Sequence, residues 1–160
     1  MISYHSLISS LHSFIQHRLE HYFQKRADAP SATEFQVPAE KGHPFYDFVK
    51  SGNLDGEQQL ILCLALVPHL HPDLYTGLIR QFLPQGGDLP VFGAAKAKNS
   101  RGIIPTGETV QFVLAGTDVD ARIQVLSCLR KFVLVQSGVI SIEHVPDEEP
   151  EMSGKLILEN

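Results

Sequence analysis

The stretch Arg101–Val110, RGIIPTGETV, decides how the second half of the chain folds. Two of its glycines, five positions apart, and a following threonine match the phosphate-binding pattern G-x-x-x-x-G-K-[ST], except that Glu108 stands in place of the lysine. A glutamate there would place negative charge beside a polyanionic ligand. The preceding residues 93–100, GAAKAKNS, also have no strand character, although such a loop needs a buried strand before it. We therefore interpret the stretch as the start of a helix and not as a nucleotide site.

The same residues have a local explanation as a helix N-terminus. Pro105 ends the preceding segment, Thr106 is a good N-cap, and Glu108 suits the positive end of the helix dipole. Gly116 is placed to end this helix after the apolar residues of VQFVLA. The sequence thus predicts a short strand at 102–104 and a helix that begins after Thr106.

Composition sets the broad class of the protein. The chain has 160 residues, of which 43% are hydrophobic and 19% charged, as in a globular domain. Its net charge of −5 gives no general attraction to nucleic acid or to an anionic membrane. Cys63 and Cys128 lie in apolar helical patterns and are predicted to be buried free thiols. The longest apolar run, residues 60–67, is too short to span a bilayer, and no signal-peptide pattern is visible. We expect a soluble cytoplasmic protein.

An amphipathic helix is predicted at the N-terminus, where apolar residues recur at spacings of three and four. Residues 27–42, rich in Ala, Pro and Ser, are interpreted as a linker. We therefore expect two parts, an N-terminal helix and linker at 1–41 and a separate domain at 42–160. Because the linker would let the helix at 1–26 reach a neighbouring chain, we expect it to dock on a protein partner or a second subunit. Its apolar stripe consists of Tyr4, Ile8, Leu11, Ile15, Leu19 and Tyr22.

A block of three helices is predicted next. PFYDFVKSG, residues 44–52, forms the first, and Asp55 caps the second, GEQQLILCLALVPHL at 56–70. The second helix is apolar nearly all round, so we expect it to be the central buried element. Pro72 is expected to be the first residue of the third. The segment 84–101 then lacks periodicity, and its role is left open.

The C-terminal part predicts a helix and a hairpin. Thr117 or Asp118 caps the helix, and VISIEHV at 139–145 and KLILEN at 155–160 alternate as the strands of a hairpin with an acidic tip. Helix, short strand, helix, helix and hairpin is the order of a winged helix. We therefore predict a mainly α fold with a small β-hairpin, composed of a helical block and a winged-helix-like unit. The side of the C-terminal helix expected to be buried consists of Val119, Ile123, Leu126 and Leu129.

Two groups of histidines suggest a metal. HRLEH, residues 17–21, matches the zinc motif H-x-x-E-H, but it lies on the predicted solvent face and lacks a third ligand. His69, His71 and Asp73 lie close together in sequence and are explained by their positions at helix ends. No nucleophile motif occurs. We predict no catalytic, cofactor-binding or metal-binding residue in this chain, and a metal-dependent hydrolase is only a distant alternative.

The winged-helix order also suggests DNA binding, since the second helix of such a unit usually enters the major groove. However, that helix begins with Asp118 and Asp120, and the tip of the hairpin carries four carboxylates where a DNA-binding wing has lysine or arginine. A DNA-binding regulator therefore stays an alternative to a protein-contact role, and nucleic acid is not the expected partner.

Two stretches carry a resemblance to a known family. LILCLALVPHLHPDL at 60–74 and RGIIPTGETVQFVLAGTD at 101–118 resemble the N-terminal region of bacterial AAA+ ATPases found with phage-tail-like contractile injection systems. The resemblance covers roughly Pro44 to the C-terminus, and PTGET together with LAG is its most specific part. It implies a non-catalytic, helical and winged-helix-like domain that binds protein partners or positions the ATPase module.

The ATPase module implied by the resemblance would supply the sites for ATP and Mg²⁺. These 160 residues contain no Walker A lysine, Walker B strand or arginine finger, so no catalytic residue of the family can be assigned here. Because the chain ends at Asn160, where that module would begin, we expect it to be a fragment of a longer ATPase, and a stand-alone relative is the alternative. The identity of the partner and the oligomeric state are left open.

Overall fold

The computed structural model describes residues 4–38, 40, 42–96 and 103–159. Within them the chain is mainly helical, with short antiparallel strand pairs, so the predicted class of a mainly α fold with a small β-hairpin is confirmed. The elements are α1 (His5–Tyr22), α2 (Pro44–Gly52), α3 (Gly56–Leu70), α4 (Leu74–Phe82), β1 (Ala95–Lys96), β2 (Ile103–Ile104), α5 (Gly107–Ala115), α6 (Val119–Cys128), α7 (Val133–Gln136), β3 (Ile140–Ile142) and β4 (Leu156–Leu158).

Most helices begin where the sequence places a capping residue. The side chains of Asp55 and Asp118 accept hydrogen bonds from backbone N–H groups three residues further on, at 2.9 and 3.1 Å. Asn53 ends α2 in the left-handed conformation, with φ of 52°. The prediction for Pro72 is wrong, since α4 begins at Leu74 and the proline lies in the preceding turn.

The helix α3 lies at the centre of the molecule, as predicted. Leu60, Ile61 and Leu64 are fully buried, and α3 packs against α1, α5, α7 and β4. A helix that is surrounded on all sides has no solvent face to keep polar, which explains its nearly continuous apolar sequence.

The apolar stripe of α1 is buried in the chain's own core. Leu11, Ile15 and Leu19 are completely inaccessible to solvent, and α1 packs on α3 and α4. The middle of the stripe is therefore not free to dock on another chain, because α3 and α4 already remove it from water, whereas Tyr22 at its end is 37% exposed. The segment predicted as a linker also packs, with Ala32 and Phe35 buried. Core residues from both sides of the predicted boundary at 41/42 belong to a single hydrophobic cluster.

Residues 84–96 of the segment 84–101 pack against distant parts of the chain. Phe92 is fully buried, and its ring contacts the rings of Tyr75 and Phe112. The prediction that 93–100 has no strand is wrong at Ala95–Lys96, which pairs antiparallel with β2. That pairing depends on a partner strand further along the chain and leaves no signal in local periodicity. Residues 97–102 lie outside the described part of the chain.

The C-terminal hairpin is completed by the residues that precede α5. β3 and β4 pair antiparallel, with Ile140 opposite Leu158. On the other side of β4, Thr106 forms an antiparallel bridge with Lys155, and the backbone N–H of Leu156 donates to the carbonyl of Pro105 at 2.8 Å. The hairpin is thus attached to the start of α5 along one of its two edges.

Candidate protein-contact surface

The helix α6 exposes apolar side chains to solvent. Val119, Ile123 and Leu126 are 67%, 54% and 44% exposed. Since they are spaced by four and three residues, they share one side of the helix, and we name them the α6 stripe. The prediction that these three residues are buried is wrong, whereas the prediction for Leu129 is confirmed.

The reason for this reversal is that α6 carries two apolar sides. Val125 and Leu129, four residues apart, form the second side and are buried. The neighbouring helix α5 is the main packing partner of α6. Helical periodicity predicts both apolar sides, but only the position of α5 decides which of them is buried. The α6 stripe stays exposed as an apolar surface, the kind of feature that marks an interaction site.

A groove begins at Leu126, at the end of the α6 stripe, and we name it the β3 groove. The helical residues Leu126, Leu129 and Val135 line it together with residues of the hairpin. Arg130, which follows α6, forms an ion pair with Glu151 of the hairpin, and both of these residues also line the groove. The hairpin contributes Ile140, Ser141, Ile142 and Met152.

The cations of α6 and of the turn after it are mostly engaged within the chain. The guanidinium of Arg122 donates to the carbonyl of Gly116 at 2.8 Å, at the end of α5, and Arg130 is held by Glu151. Lys131 is exposed. A helix that reads DNA presents free cations to phosphates, whereas two of the three cations here already have carboxylate or carbonyl partners.

The hairpin carries a strongly negative charge. Residues 139–159 contain six carboxylates and a single lysine, Lys155. Such a surface repels a phosphate backbone and attracts basic partners. The carboxylates belong to Glu143, Asp147, Glu148, Glu149, Glu151 and Glu159.

The start of α5 confirms the helix interpretation of PTGET. Thr106 Oγ1 accepts from the backbone N–H of Thr109 at 3.3 Å, and the backbone N–H of Thr106 donates to Thr109 Oγ1 at 2.9 Å. The N–H of Gly107 donates to the carbonyl of Gly154 at 3.0 Å. Backbone N–H groups that would cradle a phosphate therefore already donate to protein oxygens. Gly116 ends the helix, as predicted.

The zinc-like motif at 17–21 forms ordinary surface contacts. His17 Nε2 lies 3.3 Å from a carboxylate oxygen of Asp28, and Glu20 lies 3.7 Å from the guanidinium of Arg26. His69, His71 and Asp73 are exposed. Among the described residues, no three His, Cys, Asp or Glu side chains are grouped so that they could hold a metal ion.

Arg18, inside the same motif, has a structural role that the sequence interpretation missed. It is buried, and its guanidinium donates to the carbonyls of Val113 and Leu114, each at 3.1 Å, and of Pro30 at 3.3 Å. Burial lowers the pKa of Arg18 to about 10, so it is charged at neutral pH. It thereby satisfies carbonyls at the C-terminal end of α5. Its spacing of three residues from Ile15 on the apolar stripe is the sequence signal that predicts burial.

The two cysteines differ in environment. Cys63 is buried in α3, and desolvation raises the pKa of its thiol. Cys128, the last residue of α6, is exposed, so the prediction that it is buried is wrong. The apolar pattern around Cys128 is that of the α6 stripe, which points to solvent instead of to the core.

Comparisons with protein-family models, with curated proteins and with solved structures found no match to this chain. Within the described residues, no helix is both long enough and apolar enough to cross a lipid bilayer.

Proposed function

We propose that this chain is a non-catalytic protein-contact domain and that the α6 stripe is its contact surface. The observation that carries the proposal is the exposure of Val119, Ile123 and Leu126 on one side of a helix whose second apolar side, at Val125 and Leu129, is anchored in the core. The resemblance of 60–74 and 101–118 to the N-terminal region of AAA+ ATPases supplies the context. In that context the domain binds a component of a contractile injection system, or positions the ATPase module, in the cytoplasm.

The chemistry of the α6 stripe suits a protein partner. Burying an apolar side chain of this size is worth roughly 1.5–3 kcal/mol, so three of them provide a useful part of a binding free energy. Spacings of four and three residues are also those at which a helix presents anchors to a partner's groove. Asp118 and Asp120 at the start of α6 add a polar rim, which is the usual composition around an apolar contact.

Photo-crosslinking tests this proposal in cells that produce the full-length protein and the injection system. A photoreactive amino acid replaces Ile123, and a matched variant carries it at Gln124, which is also exposed but lies about 100° further around the helix. We expect a specific adduct from position 123, with an injection-system protein or with the ATPase module, and not from position 124. The adduct should disappear when Val119 and Leu126 are both changed to serine. An equal yield from both positions, or no adduct from either, would overturn the proposal.

A DNA-binding regulator is the alternative function, favoured by the order of β2, α5, α6 and the hairpin. The engaged cations of α6 and the acidic hairpin favour protein contact instead. We expect fluorescence anisotropy with duplex DNA at ~150 mM salt to give affinities no tighter than the non-specific range, ~10⁻⁴–10⁻⁶ M. Nanomolar binding to a defined duplex would establish the alternative.

A further inference from the structure

A pocket lies between α4 and the segment that follows it, and we name it the α4 pocket. Its volume is about 350 Å³, within the range of roughly 300–1,000 Å³ that is usual for sites that bind small molecules. Residues of 86–94 form one wall, and Ile103 of β2 also contributes to the lining. The facing wall is one side of α4, whose lining residues are spaced by three and four: Thr76, Ile79, Arg80 and Leu83.

The inner part of the α4 pocket is apolar and is held by the core. Ile79 and Phe92 are only 8% and 1% exposed, and the ring of Phe92 packs against two other aromatic rings. Leu89 and Ile103, which are more exposed, extend the apolar lining. Because these side chains are already fixed by packing within the chain, the apolar part of the pocket exists before any ligand arrives.

Two opposite charges without partners line the same pocket. Arg80 belongs to the α4 wall and Asp88 to the facing wall, and both are exposed. Within the described residues, neither of them forms an ion pair or a hydrogen bond, with each other or with any other side chain. The pocket thus offers a free guanidinium and a free carboxylate beside an apolar interior.

These two charges discriminate between classes of ligand. An apolar acid without an amine would bring its carboxylate near Asp88, and an apolar amine without an acid would bring its cation near Arg80. An uncharged apolar ligand would cover both charges without giving either of them a partner, which is unfavourable. A zwitterion with an apolar side chain satisfies all three features, because each of its charges has an opposite charge to meet.

Thr76 adds an unpaired hydroxyl to the α4 wall. Its Oγ1 is closed to solvent and has no hydrogen-bond partner among the described residues. Threonines in helices often donate to a carbonyl of the preceding turn, and a buried polar atom without a partner is uncommon. Since Thr76 lines the pocket one helical turn before Arg80, rotation about its χ1 angle can place the hydroxyl beside a carboxylate that is bound there.

We propose that the α4 pocket binds a free α-amino acid with an apolar side chain. The carboxylate of the ligand bonds to Arg80, its ammonium group bonds to Asp88, and its side chain lies between Ile79 and Phe92. This inference goes beyond the proposed function, because no residue of the α6 stripe lines the α4 pocket. It also gives a role to the first part of the segment 84–101, which forms one wall of the site.

The first experiment titrates L-leucine and L-phenylalanine separately into the full chain, labelled at its isoleucine methyl groups. We expect at least one of them to bind with a dissociation constant below ~1 mM, which is within reach of ligands of this size. NMR shift changes should appear at the methyl groups of Ile79 and Ile103. Ile123, which is exposed on α6, is the internal control and should not shift.

Three analogues separate a free amino acid from the end of a peptide. N-acetyl-L-leucine keeps the carboxylate but not the ammonium group, as in the last residue of a peptide. L-leucinamide keeps the ammonium group but not the carboxylate, as in the first residue of a peptide. Glycine keeps both charges and lacks the apolar side chain. Each should bind at least about tenfold more weakly than L-leucine, because each loses one of the three contacts.

Neutral substitutions test the two charges one at a time. Arg80→Gln should weaken L-leucine about tenfold and should bring L-leucine and L-leucinamide to nearly equal affinity, because the carboxylate then has no partner. Asp88→Asn should do the same for L-leucine and N-acetyl-L-leucine. The matched controls are Arg26→Gln and Asp147→Asn, which change exposed residues outside the pocket and should leave the affinity unchanged.

Thr76→Val keeps the shape of the side chain and removes the hydroxyl, so it should weaken L-leucine about three- to tenfold. Thermal unfolding of all variants establishes that they are folded, as expected for changes at exposed or half-buried positions.

The proposal is overturned if neither amino acid binds below ~1 mM, or if Ile123 shifts as much as Ile79. Equal binding of N-acetyl-L-leucine or of L-leucinamide would also overturn it, and would assign the pocket to the end of a peptide. If Arg80→Gln and Asp88→Asn bind L-leucine as tightly as the control variants do, the charges do not select the ligand and the proposal fails.

Discussion

Arg18 joins α1 to the distant end of α5 through a single side chain. Its guanidinium bonds to Val113 and Leu114, and an arginine nitrogen lies against Gly116, which ends that helix with φ of 65°. A Cβ at Gly116 would lie 3.2 Å from this nitrogen, so the left-handed glycine and the arginine fit together closely. The charge of the arginine is favourable at a helix C-terminus, where unbonded carbonyls concentrate.

Arg18→Ala is therefore expected to lower the free energy of unfolding by ~2–4 kcal/mol, because it leaves buried carbonyls without donors and removes packed methylene groups. Arg26→Ala is the matched control, since Arg26 is about half exposed and its ion pairs with Glu20 and Asp28 lie on the surface. We expect that variant to change stability by less than ~0.5 kcal/mol. Urea unfolding, monitored by circular dichroism, measures the change in the free energy of unfolding for each variant. Equal effects of the two substitutions would contradict the role assigned to Arg18.

At the scale of elements, α5 depends on its first turn. Thr106 is buried, caps the helix through Thr109 and donates its hydroxyl to the carbonyl of Gly93. The same turn is where the hairpin attaches, through Gly107 and Gly154. One short segment thus holds the start of a helix, the edge of a hairpin and the preceding loop.

Thr106→Ala should lower the free energy of unfolding by ~1–2 kcal/mol, as for the loss of an N-cap. Thr106→Ser keeps the hydroxyl and should retain most of the stability. Thermal unfolding of the two variants beside the parent protein measures the difference. If serine were as destabilising as alanine, the hydrogen bonds of the hydroxyl would not explain the effect.

The two apolar sides of α6 give a second test at this scale. Ile123→Gln should change stability by less than ~0.5 kcal/mol, because the residue is already 54% exposed. Val125→Gln, two residues away on the same helix, should cost ~2 kcal/mol or more, because it buries an amide without a partner. Urea unfolding of both variants decides the orientation of α6. The reverse order of effects would show that the α6 stripe faces the core.

On the scale of the whole molecule, α1 is part of one core and not an appendage. Leu11, Ile15 and Leu19 are enclosed by α3 and α4, and the ring of Phe23, just after α1, stacks on that of Phe82 in α4 at 5.2 Å. This arrangement makes the stability of residues 42–160 depend on residues 1–28.

Deleting residues 1–28 is accordingly expected to abolish cooperative folding. Burial of the five apolar side chains Leu7, Leu11, Phe14, Ile15 and Leu19 is worth roughly 8–15 kcal/mol at 1.5–3 kcal/mol each, which equals the net stability of a typical domain. Circular dichroism and amide NMR dispersion of the truncated chain measure the outcome. If the truncated protein unfolds cooperatively with a midpoint near that of the parent protein, α1 is a docking element and not part of the core.

Local features of the sequence determined where three helices of this protein begin, α3, α5 and α6. Asp55, Thr106 and Asp118 each cap the helix that follows, because a capping side chain and the N–H that it accepts from lie three residues apart. The mainly α class and the hairpin also follow from periodicities that are complete within short windows.

Only the tertiary structure decided which surfaces of these elements are buried and which partners they contact. Arg18 donates a hydrogen bond to the carbonyl of Val113, 95 residues away, and no short window of sequence contains both residues. In the same way, α5 decides which apolar side of α6 is buried, and residues 105–106 pair with the outer edge of β4. Burial depends on which surfaces meet, and that is set by the packing of the whole chain around α3. The α6 stripe and the β3 groove are therefore properties of the folded protein that its sequence pattern does not reveal.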